Sequence, residues 1–152
     1  VWHLITPVER IPEWISGAEE ASHTSGPTEG VGRGQHLVIT IHGVETEVDQ
    51  EIVAWEPFRM LSIRQLRQGV PGRKPNRLRD FYTTVTLTPE GPTTRVRMDY
   101  VWQAPLGMAW LTGLLFGGRV MGRELAQSLK NIQRLAISSP SEKSAHAGKL
   151  PP

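Results

Sequence analysis

Chemistry in this sequence must come from histidines, carboxylates, bases and hydroxyls, because there is no cysteine. That excludes disulfides and thiolate metal sites. His36 and His42 fall on one face of a candidate strand. Six residues at about 3.3 Å each put them roughly 20 Å apart, too far to share a metal. His3, His23 and His146 add no HxH or HExxH spacing. His36 and His42 are read as surface or satisfied strand histidines, or as polar groups at the end of a cavity. Glu45, Glu47, Asp49 and Glu51 alternate strictly, opposite Val48 and Ile52. They read as a wet convex face rather than paired catalytic acids, with Arg64 as a candidate partner. The run from Glu29 to Gly34 has the glycines of a phosphate loop. Such a loop needs a strand before it and a helix after it, and here strands flank it, so a hairpin turn is expected. No GxSxG nucleophile motif is present. No catalytic residue is assigned, and neither a cofactor nor a metal site is expected.

The remaining chemistry is that of a lined space. Val96, Met98, Tyr100 and Trp102 share one face of a strand, with Arg95, Arg97 and Asp99 on the other. Phe81, Thr83, Val85 and Leu87 share a face of the preceding strand. Leu61, Ile63 and Gln65 do so earlier, as do Leu37, Ile39 and Ile41. Each of these also reads as plain core. The polar or polarisable ones, Gln65, Thr83, Met98, Tyr100 and Trp102, are the candidates for ligand contact. Apolar walls with a few fixed polar groups are the usual make-up of a small-molecule site.

These residues need elements to position them. Val1–Thr6 reads as the end of a helix stopped near Pro7. Ile11–Ser16 reads as a second short helix, with Pro12 early and Gly17 after its end. Strands are expected over Ala18–Ser25, Gln35–His42, Val44–Trp55, Met60–Leu66, Phe81–Thr88 and Thr94–Gln103. The segment from Arg67 to Arg79 reads as a polar, basic loop. From Pro105 the apolar period lengthens to three or four: Trp110, Leu111, Leu114, Leu115, Met121, Leu125, Leu129, Ile132, Leu135. That is one long helix ending near Ile137, its first half weakened by glycines. Trp110, Leu114 and Met121 on it are placed to close the lined space. The last stretch, 138–152, has no apolar period and reads as a disordered tail. Sequential strands before one long helix predict an α+β domain over 1–137, with an antiparallel sheet.

Composition sets the outer bounds. At 38% hydrophobic and 21% charged, the 152-residue chain is neither a membrane protein nor disordered throughout. A net charge of +2 is too weak a bias to argue for nucleic acid. The longest apolar stretch, 106–116, falls short of the roughly 20 residues that span a bilayer. The opening VWHLITPVERIPEW shows no signal-peptide pattern, although it begins with Val and an upstream leader would not be seen. With no cysteine, the cytoplasm is the expected compartment.

Several short stretches, in this order and spacing, carry a family likeness. They are Val1-Trp2 with Ile5-Thr6, Arg10-Ile11-Pro12-Glu13-Trp14, the turn Gly30-Val31-Gly32, and Val53-Ala54-Trp55-Glu56-Pro57 with Arg59-Met60-Leu61. Gly91-Pro92-Thr93-Thr94-Arg95-Val96 and the helix end Ser128-Leu129-Lys130-Asn131-Ile132 complete the set. Over about residues 1–137 the chain resembles the START and birch-pollen-allergen-like superfamily (SRPBCC), in its polyketide cyclase/dehydrase and lipid-transport branch. The resemblance implies a helix-grip fold, a curved seven-stranded sheet around the C-terminal helix enclosing an elongated cavity. This chain opens inside the family's first helix, so six strands are expected, without the family's N-terminal one. The resemblance also places the basic loop near the cavity mouth, where Arg73, Lys74 and Arg77 would steer an anionic headgroup; a solvated loop is the competing reading. The implied function is binding or carriage of an apolar or amphipathic molecule such as a lipid, quinone or polyketide. Two alternatives stand beside it. One is a cyclase or dehydratase using Tyr100 with His36 or His42, and the other is a chaperone-type protein-interaction module.

Overall fold

The computed structural model describes residues 1–41, 43–77, 80–101 and 118–138, with side chains at 76–77 and 118–121 excepted. Two four-residue helices open the chain, α1 (Trp2–Ile5) and α2 (Ile11–Trp14), with a 3-10 turn at Val8–Arg10 between them. Pro12 sits in the first turn of α2, where its missing N–H costs nothing. Seven strands follow: β1 (Ala18–Ser25), β2 (Gly34–Ile41), β3 (Val44–Glu56), β4 (Met60–Gly69), β5 (Asn76–Arg77), β6 (Tyr82–Glu90) and β7 (Thr93–Val101). The long helix α3 runs Gly118–Ser138. The expected helix residues Trp110 and Leu114, the strand residue Trp102 and the expected tail beyond Ser138 lie outside the described residues, while Ser138 itself ends α3.

The sheet is antiparallel throughout, in the order β1-β2-β3-β4-β6-β7, with β5 paired to β4. Six long strands match the sequence expectation. The segment expected as a loop after Leu66 differs. β4 continues to Gly69, and two residues of the connection return as β5, pairing Arg67 with Arg77 and Gln68 with Asn76. Backbone pairing overrides a polar composition there, and Arg67 belongs to a strand rather than to the loop.

Alternation holds on β3. Thr46, Val48, Gln50 and Ile52 are buried, while Glu45 and Glu47 are exposed. Register slips between Asp49 and Gln50, and again between Ile52 and Ala54, mark bulges against β4. Bulges raise local twist, which curves the sheet around its apolar face. The turn from α2 into β1 rests on Gly17, at φ +75°. A Cβ there would lie 2.6 Å from the Thr40 carbonyl oxygen, while Thr40 N–H donates to the Gly17 carbonyl at 2.8 Å.

The core joins three sources. Leu37, Val48, Ile52, Leu61, Ile63, Val85 and Leu87 come from the sheet, and Ile132 from α3. Trp2, Leu4, Ile5, Val8, Ile11 and Trp14 come from the short N-terminal helices and the turn between them. The sequence periodicity assigned the covering of the sheet to the long helix alone. The structure gives the N-terminal turns a large share, with Trp2 packed edge-on against Trp55 at 5.0 Å. Four-residue helices are too short for a 3.6-residue period to show.

Candidate functional site

A cavity of about 310 Å³ lies between the sheet and the C-terminal helix. Ile39 from β2, Val48 from β3 and Ile63 from β4 form its apolar floor, with Phe81 and Met98 beside them. Trp14, Ile15 and Ser16 close the α2 side, and Glu124 reaches it from α3. Four of the sequence-derived candidates meet here: Gln65, Thr83, Met98 and Tyr100 all line the cavity. Their convergence follows from register. Thr83 pairs with Ile63 on one side and with Tyr100 on the other, so three strands present one row inward. The rings of Phe81 and Tyr100 pack at 5.8 Å between centres, tilted by 46°.

Trp102, Trp110 and Leu114 lie outside the described residues, as does His42. Met121 is on α3, and its side chain is outside the description. Of the loop candidates, Arg73 and Lys74 do not line the cavity, and the Arg77 side chain is outside the description. Arg73 and Lys74 are exposed, just beyond Gln68, which does line it. Arg77 stands in register opposite Arg67. The pairing of Tyr100 with His36 is not formed. His36 lies on the opposite sheet face from the buried Gln35 and Leu37, and its Nδ1 donates to Asp49 Oδ1 at 2.8 Å. Arg67 reaches the other oxygen of Asp49 at 2.6 Å, and Arg64 pairs with Glu51 at 2.7 Å. The inner half of the acidic stripe, Asp49 and Glu51, is therefore a neutralised outer face.

Electrostatics separate two kinds of group. Burial, with Glu124 adding to it, holds the Tyr100 phenol above its ordinary range, so the phenol stays protonated at neutral pH. Burial works to raise the Asp49 carboxyl, but hydrogen bonds and charge from His36 and Arg67 outweigh it and hold the group below its usual range.

The sequence reading missed a second polar feature. Arg33 is 1% exposed, and no carboxylate lies within ion-pairing distance of it among the described residues. Its Nη1 donates to the Thr6 carbonyl at 2.7 Å, and its Nη2 to Gln35 Oε1 at 3.0 Å. Gln35 Nε2 donates in turn to Gln50 Oε1 at 2.8 Å. Gln50 lines the cavity and stands in register between Gln35 on β2 and Gln65 on β4. Burial pulls the Arg33 pKa down, opposed by the charges of Glu9 and Glu29. The signal for Gln35 and Gln50 was present. Both fall on the inward phase, one with Leu37 and the other with Val48 and Ile52. Arg33, inside a glycine-rich turn, carried no such signal. Trp14, also on the cavity wall, keeps a buried indole N–H without an acceptor among the described residues.

Among the described residues no group of three or more His, Cys, Asp or Glu could hold a metal. No described helix is long and apolar enough to cross a membrane.

Solved structures share this fold. A protein from Mesorhizobium loti is 21% identical, with a TM-score of 0.59 over 92% of this chain and 88% of its own. One from Thermus thermophilus is 22% identical, with a TM-score of 0.53 over 83% of this chain and 81% of its own. One from Chromobacterium violaceum is 12% identical, with a TM-score of 0.52 over 88% of this chain and 85% of its own. At these identities the likeness is one of fold. No functionally curated protein matches the chain. Residues 1–136 match the family described as polyketide cyclase/dehydrase and lipid transport. A helix-grip sheet, a cavity beneath its C-terminal helix and a match over nearly the whole described chain agree: the chain belongs to that family, within the SRPBCC superfamily, and has its general capacity to bind a hydrophobic small molecule.

Proposed function

We propose that this protein binds and carries an apolar or amphipathic molecule, such as a lipid, a quinone or a polyketide-like compound, in the cavity between sheet and helix. The observation that carries the reading is the lining itself. Ile39, Val48, Ile63, Phe81 and Met98 offer an apolar surface, interrupted at a few fixed points by Gln50, Gln65, Thr83 and Tyr100. Burial of apolar ligand surface supplies affinity at roughly 25 cal/mol per Å², and the polar points set orientation. Gln65, Thr83, Met98 and Tyr100 are the ligand contacts of this reading. Trp102 would add a further ligand contact from the last strand, Trp110, Leu114 and Met121 would close the site from the helix side, and Arg73, Lys74 and Arg77 would draw in an anionic head. Native mass spectrometry of freshly purified protein tests it. A discrete extra mass that disappears on denaturation is expected. An apo mass, followed by no uptake from a panel of lipids, quinones and aromatic polyketides, would contradict it.

One observation favours a second reading. Tyr100, held protonated, faces the cavity together with Glu124. A phenol so placed can give a proton or hydrogen bond to a substrate oxygen, as a cyclase or dehydratase requires. Turnover of a polyketide-like substrate that is lost in Tyr100→Phe would establish that reading over simple carriage.

A further inference from the structure

The chain of side chains from Arg33 to the cavity has a direction. A guanidinium only donates hydrogen bonds and keeps its charge in proteins. Arg33 Nη2 therefore requires the oxygen, not the nitrogen, of the Gln35 amide to face it, as the 3.0 Å contact shows. That leaves Gln35 Nε2 to face Gln50, which must answer with its own oxygen, at 2.8 Å. Each amide is locked by the one before it. The end of the series is Gln50 Nε2, a donor with no hydrogen-bond acceptor among the described residues, on a side chain only 8% exposed that lines the cavity. Its neighbour in the row is not locked in this way. Among the described residues the Gln65 side-chain amide bonds only Gln68, through a long 3.4 Å contact between two amides, and either amide can turn over.

We propose that the Arg33–Gln35–Gln50 relay makes this part of the cavity an obligate hydrogen-bond donor, so that the site selects apolar molecules carrying an acceptor oxygen, a ketone carbonyl or a carboxylate, over hydrocarbons of the same shape. The inference rests on the ligand-binding reading above and sharpens it. A hydrocarbon in contact with Gln50 would cover a donor that water could otherwise reach, leaving it unsatisfied. An acceptor oxygen removes that loss. The discrimination is typically about one to two powers of ten when a buried donor is left unpaired.

The relay can be reversed by one atom. In Gln35→Glu the carboxylate still accepts from Arg33, and now pairs its charge. It cannot donate to Gln50, so the Gln50 amide turns to give its Nε2 to the new carboxylate and its oxygen to the cavity. The mutation should not harm the fold, because it supplies Arg33 with the counter-charge it lacks.

The test uses matched aromatic probes, acetylnaphthalene and isopropenylnaphthalene, which differ in C=O against C=CH2, with naphthoate as the carboxylate arm. Affinities are read by calorimetry for the wild type, Gln35→Glu and Gln50→Leu, with melting curves to confirm folding. The expected result is about tenfold tighter binding of the ketone than of the alkene by the wild type. That ratio falls to one or below in Gln35→Glu, and to one in Gln50→Leu with alkene binding retained. Tighter binding of naphthoate than of the ketone identifies a carboxylate as the preferred acceptor, and the reverse identifies a carbonyl. Equal binding of ketone and alkene by the wild type, or a ratio unchanged in both variants, overturns the relay while leaving ligand binding intact. Binding of no probe by the wild type overturns the ligand-binding reading, and the selectivity falls with it.

Discussion

Ser128, in the middle of α3, accepts a hydrogen bond from the Ser16 backbone N–H at 3.0 Å and donates to the Glu124 carbonyl at 2.9 Å. Asn131 adds a weaker tie to the Trp14 carbonyl at 3.4 Å. The helix is thus pinned to the short α2 segment beside the cavity, where Ser16 and Glu124 both stand on the wall. Ser128 is 2% exposed, so its loss leaves a backbone N–H without a partner. Ser128→Ala is expected to cost about 1–2 kcal/mol, read as a lower urea midpoint with unchanged slope. An unchanged midpoint would show that the tie does not hold the helix.

The outer face should fail in acid. Asp49 accepts from His36 and Arg67, and its folded pKa is lowered. A lowered carboxyl pKa contributes stability above the unfolded value, about 4, and that contribution is lost as pH falls through the folded value. Stability of the wild type should therefore drop below about pH 4 more steeply than that of Asp49→Asn. The effect is small, about 1 kcal/mol or less, because the cluster is partly exposed. Parallel acid curves would contradict it.

At the other end of the scale Tyr100 acts with the opposite sign. Its folded pKa is raised, by burial first and Glu124 second. Stability is then full below about pH 10, the unfolded phenol value, and declines as pH rises beyond it. Tyr100→Phe should flatten that alkaline decline and remove the late part of the tyrosinate absorbance change. A variant with the same alkaline profile as wild type would place the phenol in water.

The basic connection between β4 and β6 gives a ligand-side prediction. Replacing Arg73, Lys74 and Arg77 with Ala should slow association of a fatty acid severalfold and leave its methyl ester unaffected, with the difference shrinking at high salt. Equal effects on acid and ester would show a merely solvated loop.

Legibility in the sequence followed period and length. Long alternating strands announced themselves, and alternation alone set Val48 and Ile52 opposite Glu47 and Asp49. The inward row of Gln65, Thr83, Met98 and Tyr100 was legible for the same reason. Gln35 and Gln50 obeyed that alternation too, yet a buried amide has no compositional mark that separates it from an exposed one. Arg33 is buried by a tertiary contact with Thr6, 27 positions away, which no local pattern encodes. β5 exists because β4 offers it an edge, against its own polar composition. The N-terminal helices were found, but their weight in the core depends on where Trp2 and Trp14 land.

The central claim is that the space between sheet and helix holds a ligand. Filling it is the direct test. Thr83→Trp and Met98→Trp each place a ring in the cavity from a different strand. Titration of a fluorescent fatty-acid analogue, with melting curves on the same samples, should show saturable one-to-one binding by the wild type. Folded variants should lose at least about tenfold in affinity, or about 1.4 kcal/mol. Undiminished affinity in both folded variants would mean that the analogue binds elsewhere, and that the cavity is not the site.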